Sequence, residues 1–361
     1  MNYPSMNAPR TSTPDNKNAD VPIVEPPLLE VSDLQVDFAT GQGPLYAVRG
    51  TSFDLREGEI LGVVGESGSG KSVTAHSLLR LLPGNGAIGG GDIRFRGESI
   101  LGFTGRELAG WRGREIGIIF QEPGRSFDPI YSIGKTMAET LRAHEPHLSD
   151  AEIRARSIAL LKEVHIPSPE ERLSNFPHQF SGGLLQRIMI ALALAGDPDI
   201  LIADEPTTAL DVTIQAQIID LLLELRNRRN LAILFITHNL ALIGQIADRI
   251  IVMYAGLVME KGETRTVLDA PRHPYTRALL SSILNLGDHY TTTTIRTVAG
   301  SVPDPRRPEP GCPLAPRCPL ADDRCRERIP DMVTEGTTHR CRVTGVKGAD
   351  FFPEARPHAS G

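Results

Sequence analysis

This 361-residue chain lacks long apolar runs and lacks an excess of basic residues. Its most apolar stretches, around Ile188 to Gly196 and Leu231 to Ile236, fall far short of the roughly 20 residues that span a bilayer. Its 38 Lys and Arg against 44 Asp and Glu give a net charge of -6, which does not favour nucleic acid as a partner. With 40% hydrophobic and 23% charged residues, the composition predicts a globular protein of two domains, or of one α/β domain with an appendage.

The first 28 residues also lack the apolar core of a secretory signal. They are rich in Pro, Asn, Ser and Thr, which predicts a disordered leader and a protein that stays in the cytoplasm.

Cysteine is missing until residue 312, and then four occur within 30 residues. In a reducing compartment, such clustered thiols more often bind metal than form disulfides. The cluster consists of Cys312, Cys318, Cys325 and Cys341.

Periodicity predicts an α/β fold. Alternation from Leu29 onward predicts antiparallel strands, and Glu59 to Val64 predicts a buried strand that leads through a glycine-rich turn into a helix over Lys71 to Leu82. Buried-type strands at 200–204 and 231–237, with a helix between them, predict a parallel sheet. The expected organisation is a leader (1–28), a main α/β domain (29–270) with a helical subdomain (about 106–196), a Cys-containing extension (271–343) and a tail (344–361).

The segment Gly65 to Ser72 fits the phosphate-loop pattern G-x4-G-K-S/T and lies between the predicted strand and helix. Backbone N–H groups of such a loop cradle phosphates, while Lys71 should reach the β and γ phosphates and Ser72 should ligate Mg²⁺. The nucleotide-binding residues expected here are Gly65, Ser67, Gly68, Gly70, Lys71 and Ser72.

Two carboxylates, Asp204 and Glu205, end the buried strand ILIAD, at the edge where open α/β sheets hold ligands. We expect Asp204 to help hold Mg²⁺ through the hydration shell of the ion and Glu205 to polarise the attacking water.

Between these motifs, Ser181-Gly182-Gly183 precedes a helix and offers a second anion site. Alone it is more typical of a helix cap. In this order, the three motifs resemble those of ATP-binding-cassette (ABC) ATPases, although Phe180 and Leu184 depart from the common LSGGQ signature. The resemblance implies a P-loop ABC-type nucleotide-binding domain with a parallel sheet core, an antiparallel β subdomain and a helical subdomain.

Three further residues match motifs of that family. Gln121 matches the Q-loop, a contact to metal and water that also senses the permease. Asp211, in Ala209-Leu210-Asp211, matches the D-loop, and His238 matches the switch histidine at the γ-phosphate.

The resemblance also implies an aromatic ring stacked on adenine, for which Phe38 is our first choice and Tyr46 the alternative. It further implies a head-to-tail dimer, in which each ATP lies between one phosphate loop and the Ser-Gly-Gly of the other subunit. One chain carries one set of motifs, so an identical or homologous ATPase must supply the second half.

The loop QEPGRSFDPIYSIG (121–134), the segment APRHPYTRALL (270–280) and the Cys-containing tail are similar to the dipeptide and oligopeptide importer ATPases. This resemblance implies a subunit at the cytoplasmic face of the membrane, beneath two permeases fed by an extracytoplasmic solute-binding protein, with no nucleic acid. Nickel or glutathione import, or a soluble ABC ATPase in translation or DNA repair, are the alternatives.

The spacing of the cysteines differs from the Cys-x2-Cys pairs of zinc ribbons. Resemblance to the importer subfamily implies a [4Fe-4S] cluster held by all four thiolates, with zinc or ordinary reduced thiols as alternatives.

Overall fold

A computed structural model describes residues 26–208, 210–282, 298 and 300–342. Most of the predicted leader, the predicted tail 344–361 and Ala209 of the D-loop motif lie outside these residues. The strands in the described part are β1 (Leu29–Thr40), β2 (Gly43–Leu55), β3 (Ile60–Val64), β4 (Gly86–Phe95), β5 (Glu98–Ser99), β6 (Ile116–Ile119), β7 (Ile200–Asp204), β8 (Ala232–Thr237), β9 (Arg249–Tyr254), β10 (Leu257–Glu263), β11 (Val333–Glu335) and β12 (Thr337–His339).

Helices connect these strands and form a separate group between β6 and β7. The α-helices in the same residues are α1 (Lys71–Leu78), α2 (Gly105–Gly110), α3 (Pro123–Ser126), α4 (Ile133–His144), α5 (Asp150–Glu163), α6 (Pro169–Arg172), α7 (Gly182–Ala193), α8 (Val212–Arg229), α9 (Leu240–Ile246), α10 (Thr264–Asp269), α11 (Pro274–Ser281) and α12 (Asp323–Glu327). None of them is long and apolar enough to cross a membrane.

The strands form two sheets. The larger has eight strands in the order β11-β12-β10-β9-β3-β8-β7-β6, and its segment from β9 to β6 is parallel. The smaller is antiparallel, in the order β2-β1-β4-β5. The predicted α/β fold, with a parallel core and an antiparallel β subdomain, is confirmed. Because β3, β7 and β8 are parallel, their carboxyl ends meet at one edge of the sheet.

The stretch 106–196, which we predicted to be mostly helical, also contains a strand that we did not predict. Strand β6 lies inside that stretch and pairs with β7, with Ile116 opposite Ile200, so the helical group begins only after this strand. A four-residue apolar run has no periodicity that distinguishes a strand from a buried helix. Helix α1 also ends earlier than predicted, at Leu78 instead of Leu82.

Side chains of the central strands alternate between two hydrophobic clusters. On β8, Ile233 and Phe235 face the cluster formed with α4, α5, α7 and α8, whereas Leu234 and Ile236 face α1 and the antiparallel sheet. Such strands, buried on both faces, read as continuous apolar runs in the sequence. This two-sided burial holds the ends of β3, β7 and β8 in fixed positions.

The C-terminal extension packs on the ATPase sheet. Strand β12 pairs with β10, with His339 opposite Glu260. Tyr275, Leu314 and Cys312 belong to the same hydrophobic cluster as the helices of the ATPase domain. The extension therefore shares the core of the domain that precedes it.

Candidate functional site

The phosphate loop connects β3 to α1, and two of its glycines are required by the backbone. Gly65 has a φ of +156°, and a Cβ atom there would lie 2.1 Å from the carbonyl oxygen of Met253. Gly70 has a φ of +97°, and a Cβ atom there would lie 2.6 Å from the carbonyl oxygen of Ala47. A larger residue at either position would push the loop away from β9 or β2. Ser67 and Gly68, at the tip, are exposed.

Lys71, the first residue of α1, is buried and folds back over the loop. Its Nζ donates to the carbonyl oxygens of Gly65 at 2.8 Å and Glu66 at 3.0 Å. Burial lowers the pKa of Lys71, and the nearby carboxylates of Glu205 and Asp204 oppose that shift. The ammonium is thus positioned to exchange carbonyl partners for phosphate oxygens, which would offset its burial.

Ser72 and Asp204 come together from the two nucleotide motifs. Ser72 Oγ donates to Asp204 Oδ1 at 2.9 Å, and His76 Nε2 lies 3.7 Å from Asp204 Oδ2. Burial raises the pKa of Asp204, whereas the hydrogen bond from Ser72 lowers it. A buried carboxylate beside a hydroxyl is a donor set that suits a hard divalent cation such as Mg²⁺.

Glu205 is the centre of a second group. Its Oε2 accepts hydrogen bonds from Gln121 Nε2 at 3.0 Å and Thr208 Oγ1 at 2.9 Å, and its Oε1 lies 3.4 Å from His238 Nδ1. Its φ is +47°, a left-handed conformation that costs free energy in a residue other than glycine. This turn directs Glu205 away from Asp204, so the two adjacent carboxylates face different partners.

The Ser-Gly-Gly motif begins α7, where Ser181 Oγ accepts from Leu184 N at 3.5 Å. Gly183 packs against the start of α8, because a Cβ atom there would lie 2.6 Å from Ile214 Cγ2. Asp211 caps α8 by accepting from Ile214 N at 2.9 Å. Ser181, Gly182 and Asp211 are exposed, so the motif remains accessible to a partner.

The two aromatic candidates for the adenine lie in different surroundings. Phe38 packs against β4, since a Cβ atom at Gly86 would lie 2.7 Å from its ring. Tyr46 lines a cavity of about 430 Å³ together with Ser67 and Gly68 of the phosphate loop.

All four cysteines line one small cavity, of about 20 Å³, inside the extension and next to the start of α11. Burial raises the pKa of Cys312 to about 12, so without a bound cation its thiol stays protonated. Within the described residues, no group of three or more His, Cys, Asp or Glu side chains is arranged to hold a metal ion. The cavity has room for about one water molecule. The structure thus brings the four thiols together but does not support the predicted iron-sulfur cluster.

Sequence reasoning missed two residues that contact the predicted carboxylates, His76 and Thr208. His76 lies four residues after Ser72 on α1, and this spacing places both on one face of a helix. That signal was available in the sequence. Thr208 approaches Glu205 only through the turn after β7, which no pattern indicated.

Two regions of the chain match models of known protein families. Residues 48–208 match the family model described as "ABC transporter", and residues 259–325 match "Oligopeptide/dipeptide transporter, C-terminal region". The chain is 48% identical over 316 residues to a candidate peptide import ATP-binding protein of Brucella melitensis, covering 87% of this chain and 94% of that protein. It is 43% identical to the dipeptide transport ATP-binding protein DppD of Escherichia coli, covering 87% of this chain and 96% of that protein.

A solved structure has the same fold over the ATPase region. It is a dimeric ATP-binding cassette in a post-hydrolysis state, bound to ADP and Pi. Its TM-score is 0.58 at 26% sequence identity, covering 66% of this chain and 99% of that one.

Proposed function

Because the chain belongs to the ATP-binding subunits of ABC-type peptide importers, we propose a residue-by-residue mechanism for its coupling of ATP hydrolysis to peptide uptake. One observation carries it. Four side chains from three separate parts of the chain meet in two hydrogen-bonded pairs, Ser72 with Asp204 and Gln121 with Glu205.

In this proposal the phosphate loop binds the triphosphate through backbone N–H groups, and Lys71 exchanges its carbonyl partners for phosphate oxygens. Ser72 and Gln121 would contact Mg²⁺ directly, Asp204 would help hold the ion through its hydration shell, and the cation would neutralise charge on the phosphates. Glu205 accepts a proton from the attacking water, while His238 contacts the γ-phosphate. Phosphoryl transfer needs positioning and charge neutralisation more than covalent chemistry, and this set of residues supplies both.

Ser181, Gly182, Gly183 and Asp211 would act across a dimer. Ser181, Gly182 and Gly183 lie at the N-terminus of α7, and Asp211 lies at the N-terminus of α8. Ser181, Gly182 and Asp211 are exposed and so accessible to a partner. An exposed helix N-terminus is suited to the γ-phosphate of an ATP held by the other subunit. The partner is an identical or homologous ATPase.

For the ring that stacks on adenine, we keep Phe38 as first choice and Tyr46 as the alternative. The ATP affinities of the Phe38→Ala and Tyr46→Ala variants decide between them.

The permease pair would dock in an apolar groove between the helical group and the sheet. The groove has a volume of about 230 Å³, and its lining includes Leu81, Phe120 and Phe127. Leu81 is 39% exposed and Phe120 38% exposed, which is unusual for large apolar side chains. Phe120 is adjacent to Gln121, so a permease segment in the groove would reach Glu205 through one side chain. In this proposal the chain works at the cytoplasmic face of the membrane, with an extracytoplasmic binding protein beyond the permeases.

The iron-sulfur cluster remains a proposal that rests on the donor set alone, four thiols that line one cavity. Iron and acid-labile sulfide would be measured per chain after anaerobic purification, against a Cys318→Ser variant. About four irons per wild-type chain would support the cluster, and zinc in their place would support the zinc alternative. If neither metal is found, the cysteines are ordinary reduced thiols.

Uptake of labelled di- and oligopeptides by cells that carry the wild-type chain or Lys71→Ala tests the main proposal. Uptake should collapse in the variant because phosphate binding is lost. Lys135→Ala, which removes a half-exposed lysine on α4, is the matched control. Unchanged peptide uptake in Lys71→Ala, in a strain without redundant systems, would contradict the peptide assignment.

A further inference from the structure

Glu66, the second residue of the phosphate loop, is held by the C-terminal extension at both its backbone and its side chain. Its backbone N–H donates to Tyr275 Oη at 2.9 Å. Its carboxylate oxygen Oε2 accepts from Arg317 Nη1 at 3.1 Å. These two partners lie 209 and 251 positions away along the chain. The extension therefore contacts the nucleotide site directly, at a loop residue that none of the assigned roles uses.

Arg317 is fixed by more than this ion pair. Its side chain is 7% exposed, compared with 29% for Glu66. The guanidinium also donates to Tyr254 Oη at 2.9 Å and to the carbonyl oxygen of Val298 at 2.7 Å. The ring of Tyr254 in turn lies 4.7 Å from that of Tyr275. A planar guanidinium with several fixed acceptors holds its charge in one place, which a lysine ammonium at the same position could not do.

Glu66 also contacts the lysine of the phosphate loop, because its carbonyl oxygen accepts from Lys71 Nζ at 3.0 Å. Glu66 therefore links Arg317 and Tyr275 to the Lys71 ammonium, which we expect to bind phosphate. Electrostatics predicts how this link affects ATP binding. A free carboxylate at this position would repel a triphosphate in the same loop, and a partly buried pair is screened little by salt.

We propose that Arg317 is a positioning residue for ATP: by neutralising Glu66 and fixing its peptide unit, the extension holds the phosphate loop in the conformation that binds the triphosphate. This inference rests on the proposed function of the loop. It gives the extension a role in nucleotide binding in cis, separate from whatever its cysteines bind.

The test is a double-mutant cycle on the full-length chain with ATP turnover as the readout. Arg317→Ala leaves the Glu66 carboxylate unpaired and should raise the KM for ATP at least about fivefold, the lower end of coupling between linked sites, with kcat within about twofold. Glu66→Gln should alter KM less. In Arg317→Ala with Glu66→Gln, KM should return to within about twofold of Glu66→Gln alone, because the unpaired charge is gone.

Arg328→Ala is the matched control. Arg328 is another arginine of the extension, but it is 70% exposed and its ion pair with Asp331 is long, at 3.9 Å. Thermal unfolding shows whether each variant folds. If Arg317→Ala does not fold, the same cycle is run with Arg317→Gln, which keeps a long polar side chain but removes the charge, and the same changes in KM are expected.

An unchanged KM in Arg317→Ala overturns the proposal. A raised KM that Glu66→Gln fails to restore also overturns it, because the arginine would then act only on the packing of the extension. A wild-type chain that turns over no ATP, either alone or assembled with its partner ATPase and permeases, refutes the proposed function instead, and this inference with it.

Discussion

The hydroxyl of Ser72 donates a 2.9 Å hydrogen bond to Oδ1 of Asp204, a residue 132 positions further along the chain. Ser72 lies after β3 and Asp204 ends β7, two parallel strands that β8 separates in the sheet. Their side chains meet because the carboxyl ends of these strands lie at the same edge. This pair is where the two nucleotide motifs become one site, and it leads to the first prediction.

Asp204→Asn should lower Mg²⁺-dependent ATP turnover by about a hundredfold or more, because bound Mg²⁺ contributes several kcal/mol to transition-state stabilisation and a neutral amide would hold the hydrated ion less well. The amide keeps the shape of the side chain, so the fold should be preserved. ATPase rates are measured over a Mg²⁺ titration, with Asp220→Asn on the exposed side of α8 as the control. A wild-type rate in Asp204→Asn would refute the assigned metal role.

Glu205→Gln should lower kcat by about 10²- to 10⁴-fold, the usual contribution of a general base, while ATP binding is retained. Lys71 and the phosphate loop are untouched by this change. Single-turnover hydrolysis and equilibrium binding of a fluorescent ATP analogue separate the two effects. Glu139→Gln, at an exposed position of α4, is the control. The base assignment fails if hydrolysis in Glu205→Gln equals that of the wild type.

Leu81→Asp should abolish peptide uptake while the purified chain keeps its ATPase rate within about twofold. A charge in the apolar groove opposes the burial of that surface by a permease segment. Uptake and basal ATPase are measured in parallel, with Val333→Asp, at 41% exposure on β11, as the control. Normal uptake in Leu81→Asp would show that the permeases dock elsewhere.

The ion pair between Glu163 and Arg229 should make stability depend on pH. Arg229 Nε and Nη2 donate to the two carboxylate oxygens at 2.7 and 2.6 Å, joining the ends of α5 and α8. These hydrogen bonds hold the pKa of Glu163 below its ordinary value of 4.5. A carboxyl whose pKa is lowered by folding stabilises the protein above pH 4.5, and this contribution is lost as the pH falls through the folded-state pKa.

Accordingly, Glu163→Gln should lower the free energy of unfolding by about 1–3 kcal/mol at pH 7. The difference from the wild type should shrink below pH 4.5. Urea unfolding at several pH values measures it, with Glu171→Gln, at an exposed position of α6, as the control. A difference that stays constant across this range would exclude the ion pair as its cause.

Local sequence patterns were sufficient to predict those parts of the site that are built from consecutive residues. The strand, glycine-rich turn and helix around Gly65–Ser72 were predicted because a continuous apolar run, glycines and a helical period follow one another directly. Strand β6 was missed for the opposite reason, since four apolar residues carry no period and only pairing with β7 makes them a strand. The strands of the extension were missed as well, because β12 is three residues long and needs β10 as its partner.

The sequence by itself determined the phosphate loop, the carboxylates Asp204 and Glu205, the order of the motifs and hence the family, because each depends on residue type and short spacing. The tertiary structure decided which side chains meet. Gln121 reaches Glu205, and Arg317 reaches Glu66 across 251 positions, only because the chain folds these segments against one sheet edge. Contacts of this kind arise from packing and strand order, which no local pattern in a single sequence encodes.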